Sequence, residues 1–259
     1  KLFEENQYGR APERPAAMRF DVFDRGTPSF GGKAVRRQAT LYFTKDRSGP
    51  SADVLLYLPA GAAGPVPVLL NAGFSANNLA VSDPGVKVGS AFDPVKKERR
   101  PATPGKFNFG GIDVLPMLER GFGLATVNYG DFDPDAPSGL PHGVRALFLE
   151  PGQAAPAAGE WGAISAWAWG LSRVLDYLET ENGVDAKRVA LMGVSRLGKT
   201  VLWAAARDPR FALVIASCSG EGGAALSRRN YGETIAHLVE ATRYPYQFCA
   251  NYAKYADRV

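Results

Sequence analysis

The chain has 259 residues, 46% of them hydrophobic and 22% charged, a balance that suits one globular domain with a sizeable core. Its net charge is +4, and Lys96-Lys97-Glu98-Arg99-Arg100 is the one dense charge cluster; with no binding motif beside it, composition gives no support to nucleic-acid binding. No apolar run reaches the roughly 18 residues that a membrane-spanning helix needs, and the opening Lys1-Leu-Phe-Glu-Glu has no signal-segment pattern, which fits a processed start.

The first sixty residues read as β structure with turns. Asp21-Val-Phe-Asp24, Ala39-Thr-Leu-Tyr-Phe-Thr44 and Ala52-Asp-Val-Leu-Leu-Tyr-Leu58 are short β-rich runs. Gly61 to Pro67 breaks the pattern, and Val66 to Asn71 reads as a buried strand with Pro67 near its start. Residues 72–110 are rich in Gly, Pro, Asn and Asp and predict a long surface loop of the kind that often carries function. Ile112 to Arg120 predicts a short helix ended by Gly121, Gly123 to Tyr129 a second buried strand, and Gly130 to Gly159 another long loop. From Trp161 to Glu181 the apolar residues Ile164, Trp167, Leu171, Val174, Leu175 and Leu178 recur at helical spacing, and Asn182-Gly183 supplies a left-handed stop. Arg188 to Met192 is a strand, Lys199 to Arg207 a helix, and Phe211 to Ser217 the next buried strand. Strands and helices alternate from residue 66 to 217. That order predicts an α/β fold, a doubly wound, mostly parallel sheet with helices on both faces as a three-layer sandwich. No repeat or linker divides residues 1–259, so a single domain is expected.

The richest stretch is Arg188-Val-Ala-Leu-Met-Gly193-Val-Ser195-Arg196-Leu-Gly198-Lys199. A strand running through a sharp turn into a helix lifts a serine hydroxyl clear of the sheet, as in a nucleophile elbow. Gly193 lies two before Ser195, as the elbow requires, but the second glycine is three after it, so the motif is not Gly-x-Ser-x-Gly. Serine is also a favoured helix N-cap, which would explain the same pattern without chemistry. Arg196 and Lys199 add weight to a site. A helix start carries partial positive charge, so two cations within its first turn disfavour the helix by a few tenths of a kcal/mol or more. Their placement suits an anion: the Arg196 amide faces a developing oxyanion and its guanidinium adds donors, while Lys199 would hold a hydroxylated or carboxylate-derived group. Pairing of both cations with acids, or simple solvation, is the competing explanation.

The run Gly193 to Lys199, followed by Ser219-Gly-Glu221-Gly-Gly-Ala-Ala-Leu-Ser-Arg-Arg229, Tyr231-Gly-Glu233 and Tyr244-Pro-Tyr-Gln-Phe-Cys-Ala-Asn251, resembles the glucuronoyl esterases of carbohydrate esterase family 15. Phe3-Glu-Glu through Tyr8-Gly-Arg10 and Ala60 through Phe74 fit the bacterial branch more loosely. The resemblance implies an α/β-hydrolase fold with its last strands missing from this chain. It implies hydrolysis of the ester joining 4-O-methyl-glucuronic acid on xylan to lignin alcohols, by a secreted or periplasmic monomer without metal or cofactor. It makes Ser195 the nucleophile, Arg196 the oxyanion-stabilising arginine, Lys199 the lysine that holds the glucuronoyl hydroxyls and Glu233 a sugar-binding glutamate; a helix N-terminal acid is the alternative for Glu233.

The pattern also breaks. Cys218 occupies the position of the usual triad acid, leaving Glu221 or an acid further downstream as a candidate substitute; a sugar-contacting or solvated loop residue is the alternative for Glu221. Of the two histidines, His142 precedes the serine in a Pro/Gly loop, and His237 falls in a helix-like run. The family's catalytic histidine comes after two further strands, so it is expected beyond Val259. Cys218 and Cys249 are candidates for a disulfide. An esterase for acetyl or other acyl groups, and a non-catalytic carbohydrate-binding module, are the alternative functions.

Overall fold

In the computed structural model, which describes residues 1–104, 111–229 and 231–258, the chain opens with a one-turn helix α1 (Leu2–Asn6) and three strands, β1 (Arg19–Ser29), β2 (Ala34–Tyr42) and β3 (Ser51–Pro59). The alternation of apolar and polar residues that marks these runs becomes an antiparallel meander. β2 pairs with β3 from Ala34 opposite Pro59 to Tyr42 opposite Ser51. The expected buried strand is β4 (Val66–Gly73). It leads through α2 (Asn77–Ala80), the hairpin β5 (Ser90–Asp93) and β6 (Glu98–Pro101), and α3 (Leu115–Leu118) to β7 (Gly123–Asn128). Then follow α4 (Tyr129–Phe132), α5 (Ala163–Leu178), β8 (Val184–Val194), α6 (Arg196–Arg207), β9 (Leu213–Ser217) and α7 (Ile235–Val239).

The main sheet has the order β1-β2-β3-β7-β4-β8-β9. The block β7-β4-β8-β9 is parallel, as the strand–helix alternation of residues 66–217 predicts, and β3 joins it antiparallel to β7. From β4 the chain moves to β7 on one side, then crosses to β8 on the other. The carboxyl ends of β4 and β8 therefore flank a topological switch point, where open α/β sheets hold their ligands.

One sheet face packs on α5 and α6 through Val68, Leu70 and Leu191 against Ile164, Trp167, Leu171 and Leu175. The other face carries Leu55, Tyr57 and Leu124 under Ala80, Val81, Val114 and Leu118. These are the three layers of the predicted sandwich. All 16 residues of α5 are buried, more than an amphipathic stripe requires. Its outer side is covered at its start, where the Gly162 amide donates to the Tyr8 carbonyl at 3.0 Å and a Cβ on Gly162 would run into the backbone of Phe248.

Several expectations need correction. The helix expected over 112–120 is one turn, because Pro116 and Gly121 leave little room between them. The loop expected over 72–110 contains α2 and the β5–β6 hairpin; its residues 105–110 lie outside the described residues. The loop after β7 contains α4 and two 3-10 turns, Leu140–His142 and Val144–Phe148. Cys218 and Cys249 are both free: the first is exposed at the end of β9 and the second is buried, its Sγ 3.9 Å from the Glu5 carbonyl.

Candidate active site

Ser195 is the single residue between β8 and α6, with φ 56 and ψ −125. A non-glycine residue at positive φ is strained by its own Cβ and is held only where the surroundings over-determine it. Those surroundings are explicit. The Ser195 amide donates to the Ser217 carbonyl on β9 at 2.9 Å, and its carbonyl accepts from the Lys199 amide at 3.1 Å. Ser195 occupies the N-cap position of α6, yet its side chain makes no capping bond and the residue is exposed. The N-cap explanation therefore fails, and among the described residues the hydroxyl has no hydrogen-bond partner at the switch point. A Cβ on Gly193 would press into the Leu197 carbonyl, and one on Gly198 would lie 2.8 Å from the Ser217 carbonyl oxygen. The glycine three after the serine is thus placed by contact between α6 and β9. A cleft of about 310 Å³, lined in part by Asn71, Gly73, Phe74, Met192 and Val194, opens beside this turn.

Both cations of the first α6 turn are paired with acids, the competing explanation weighed above. Arg196 donates through Nη1 to Oδ2 of Asp135, and its guanidinium lies 4.9 Å from the centre of the Tyr244 ring. Burial works against its charge, but Asp135, Tyr129 and Tyr244 together outweigh burial and hold the guanidinium above its usual range. The Lys199 ammonium, only 4% exposed, donates to Oε2 of Glu233 at 3.2 Å. Burial pulls the Lys199 pKa down and Glu233 pulls it back up, with the net shift downward. Glu233 lies immediately before the Thr234 cap of α7, so it is an acid at the helix N-terminus as well as the partner of Lys199. Its backbone carbonyl accepts from Arg229 at 2.7 Å. Ser195, Arg196, Lys199 and Glu233 thus come together at one end of the sheet.

The remaining expected residues are placed differently. Glu221 is fully buried; its Oε1 accepts from Ser227 at 2.7 Å and from Tyr252 at 3.1 Å, and its Oε2 lies 3.7 Å from Arg229. That setting ties down the segment carrying Glu233, while Oε2 accepts no hydrogen bond among the described residues. Cys218, at the usual acid position, has φ 49 and is exposed. The His142 ring packs against Phe92 with centres 5.0 Å apart and planes tilted by 45°, and His237 sits inside α7. Among the described residues, no hydrogen bond joins either histidine ring to Ser195 or Glu221. Asp135, Tyr129, Tyr244, Tyr246 and Gln247, which surround Arg196, carry no motif. The one available signal was that Tyr244 to Gln247 lies inside the stretch that resembles the family.

A strained, exposed serine between a parallel strand and a helix, at the switch point of a three-layer sheet, defines the α/β-hydrolase class. Comparison with known proteins narrows it. A family described as "Glucuronyl esterase, fungi" matches residues 156–258. The chain is 39% identical to a carbohydrate esterase designated MZ0003 from an unknown prokaryotic organism, over all of this chain and 60% of that protein. It is 29% identical to a 4-O-methyl-glucuronoyl methylesterase of Podospora anserina, over 80% of this chain and 44% of that one. The solved glucuronoyl esterase of Solibacter usitatus superposes with a TM-score of 0.92 at 43% identity, over 99% of this chain and 65% of that one. In sequence and fold the chain is similar to the glucuronoyl esterases of carbohydrate esterase family 15, and it spans about 60% of the first relative's length.

Proposed function

We propose that the chain is a serine carboxyl-ester hydrolase that cleaves 4-O-methyl-glucuronoyl esters linking glucuronoxylan to lignin alcohols, acting as a single domain outside the cytoplasm, where that polymer is found. The observation that carries the reading is Ser195: exposed, strained, uncommitted as a cap, and followed within one turn by Arg196 and Lys199. Ser195 Oγ attacks the ester carbonyl while a general base takes its proton. Arg196 stabilises the oxyanion of the tetrahedral intermediate, and Lys199 with Glu233 holds the sugar hydroxyls. Collapse breaks the C–O bond and expels the alcohol, which takes the proton, and water then releases the acyl-enzyme. Neither His142 nor His237 serves as that base.

The paired cations sharpen the substrate class. An ester carries no charge on its carboxyl group, so a site whose Arg196 and Lys199 are already offset by Asp135 and Glu233 suits the ester better than the free uronate. The test is hydrolysis of benzyl glucuronate, with p-nitrophenyl acetate as comparator, by the encoded protein and by Ser195→Ala. Hydrolysis of the glucuronate by the first and not the second is expected. Equal rates from the two would sink the proposal, and turnover of acetate alone would reassign the substrate.

A further inference from the structure

Asp135 lies in the loop after α4, 61 residues before Arg196, and its carboxylate accepts four hydrogen bonds. Oδ1 accepts from the Tyr246 hydroxyl at 2.8 Å and from Gln247 Nε2 at 2.7 Å. Oδ2 accepts from the Tyr129 hydroxyl at 2.8 Å and from Arg196. A carboxylate offers about four acceptor sites, so this one is saturated. We propose that Asp135 is the positioning residue for Arg196: it fixes the guanidinium beside the elbow, ready for the developing oxyanion. The inference rests on reading Arg196 as the oxyanion donor.

Three of the four partners belong to the packed scaffold. Tyr129 meets the Trp167 ring edge-on at 4.8 Å and the Phe74 ring at 5.5 Å. Gln247 is 2% exposed, and Tyr246 lies in the same 3-10 turn. Arg196 is the long, flexible one, so constraint passes from the scaffold through Asp135 to the arginine. Two restraints act on the guanidinium. The Asp135 bond sets its direction, and the Tyr244 face sets its plane. One of its five N–H donors serves that bond, and the other four are not used by it. Ordering an arginine costs rotamer freedom, and meeting that cost before substrate arrives is what preorganised oxyanion stabilisation requires. The carboxylate also offsets the repulsion between Arg196 and the positive end of α6.

The test compares benzyl glucuronate kinetics of the full chain with those of Asp135→Asn, Arg196→Ala and the double variant. Arg196→Ala is expected to lose about a hundredfold in kcat. Asp135→Asn should lose roughly tenfold in kcat with KM within about twofold, because only transition-state contact is weakened. The double variant should be no slower than Arg196→Ala alone, since positioning has no effect once the positioned group is gone. A merely structural Asp135 would instead lower kcat in both backgrounds by the same factor, which overturns the inference. Wild-type kcat in Asp135→Asn alongside an impaired Arg196→Ala overturns it too, and leaves the hydrolase reading intact. Wild-type kcat in Arg196→Ala removes the oxyanion role and this inference with it. If Asp135→Asn does not fold, Tyr246→Phe, which removes one bond to the carboxylate, should show a smaller kcat loss of the same kind; an unchanged kcat there counts against the inference. Phenylglyoxal labelling of Arg196, followed by peptide mass, needs no turnover: a severalfold faster reaction in the Asp135 or Tyr246 variant is expected, and equal rates overturn the inference.

Discussion

At Ser195 the backbone shows what the position is for. A residue chosen for stability would not be held at φ 56 with a Cβ. Such strain costs on the order of 1–3 kcal/mol, so Ser195→Gly should be more stable than Ser195→Ala by about 1 kcal/mol, after the larger unfolded-state entropy of glycine is counted. For a chain of this size that is a rise of about 2–4 °C in Tm. Thermal unfolding of the two inactive variants separates strain from the lost hydroxyl; a lower Tm for the glycine variant would contradict the elbow. The Lys199–Glu233 pair makes a second residue-level prediction. Glu233 is 38% exposed and Lys199 nearly enclosed, so Glu233→Gln leaves a buried ammonium without its counter-charge. Free glucuronate should then inhibit more strongly, by roughly threefold or more after solvent screening. An unchanged inhibition constant for glucuronate would show that the pair does not discriminate ester from acid.

Among the elements, α6 depends on two glycines for different reasons, and the difference can be measured. Gly193→Ala drives a methyl into the Leu197 carbonyl of the helix itself, whereas Gly198→Ala meets the Ser217 carbonyl and Ser219 across the α6–β9 contact. Overpacking of this kind costs typically 1–3 kcal/mol. Gly193→Ala should give the larger drop in Tm, because its obstacle lies in the same rigid turn. Gly198→Ala should relax by a slight shift of β9, with a smaller drop. Equal drops would mean that the turn and the β9 contact yield alike. The same elements show how far the sequence could be read. The alternation from 66 to 217 was legible because buried parallel strands and an amphipathic helix leave strong local patterns. Pairings such as β3 against β7 and the β5–β6 hairpin were not, since they join segments that carry no mutual signal. Ser195, Arg196 and Lys199 share one turn and were read as a group. Asp135 reaches Arg196 from 61 residues away, in a loop whose composition says only that it is a loop. Glu221 was legible as an acid in the right neighbourhood, but its enclosure by Ser227 and Tyr252 depends on packing that no local pattern reports.

Across the whole molecule, buried carboxylates pull stability against pH in opposite directions. For Asp24 and Asp83, burial resists ionisation, but the donors around them prevail: Arg36 and Gln38 on Asp24, Ser29 and the Gly85 amide on Asp83. Both carboxyls fall to about 2. Their contribution is present above the unfolded value near 4 and is lost as pH falls toward 2. Asp131 is the reverse case. Burial, and then the nearby Asp53 charge, raise it from 3.8 to about 7, while Arg99, 3.9 Å away, pulls it down by less. Between about pH 4 and 7 the folded chain holds a proton that the unfolded chain has released, so stability falls as pH rises through that window. The full shift corresponds to about 4 kcal/mol, as an upper figure. Asp53 itself is braced by the Lys87 ammonium at 2.7 Å, which limits its effect on Asp131 but not the burial. The chain should therefore unfold at a higher temperature at pH 4.5 than at pH 7.5. Asp131→Asn, which keeps the shape and cannot ionise, should remove a large part of that difference, the remainder including Asp133, which burial also raises, while leaving the loss below pH 4, set by Asp24 and Asp83, unchanged. If the variant keeps the wild-type slope between pH 4.5 and 7.5, Asp131 is not the group that titrates there.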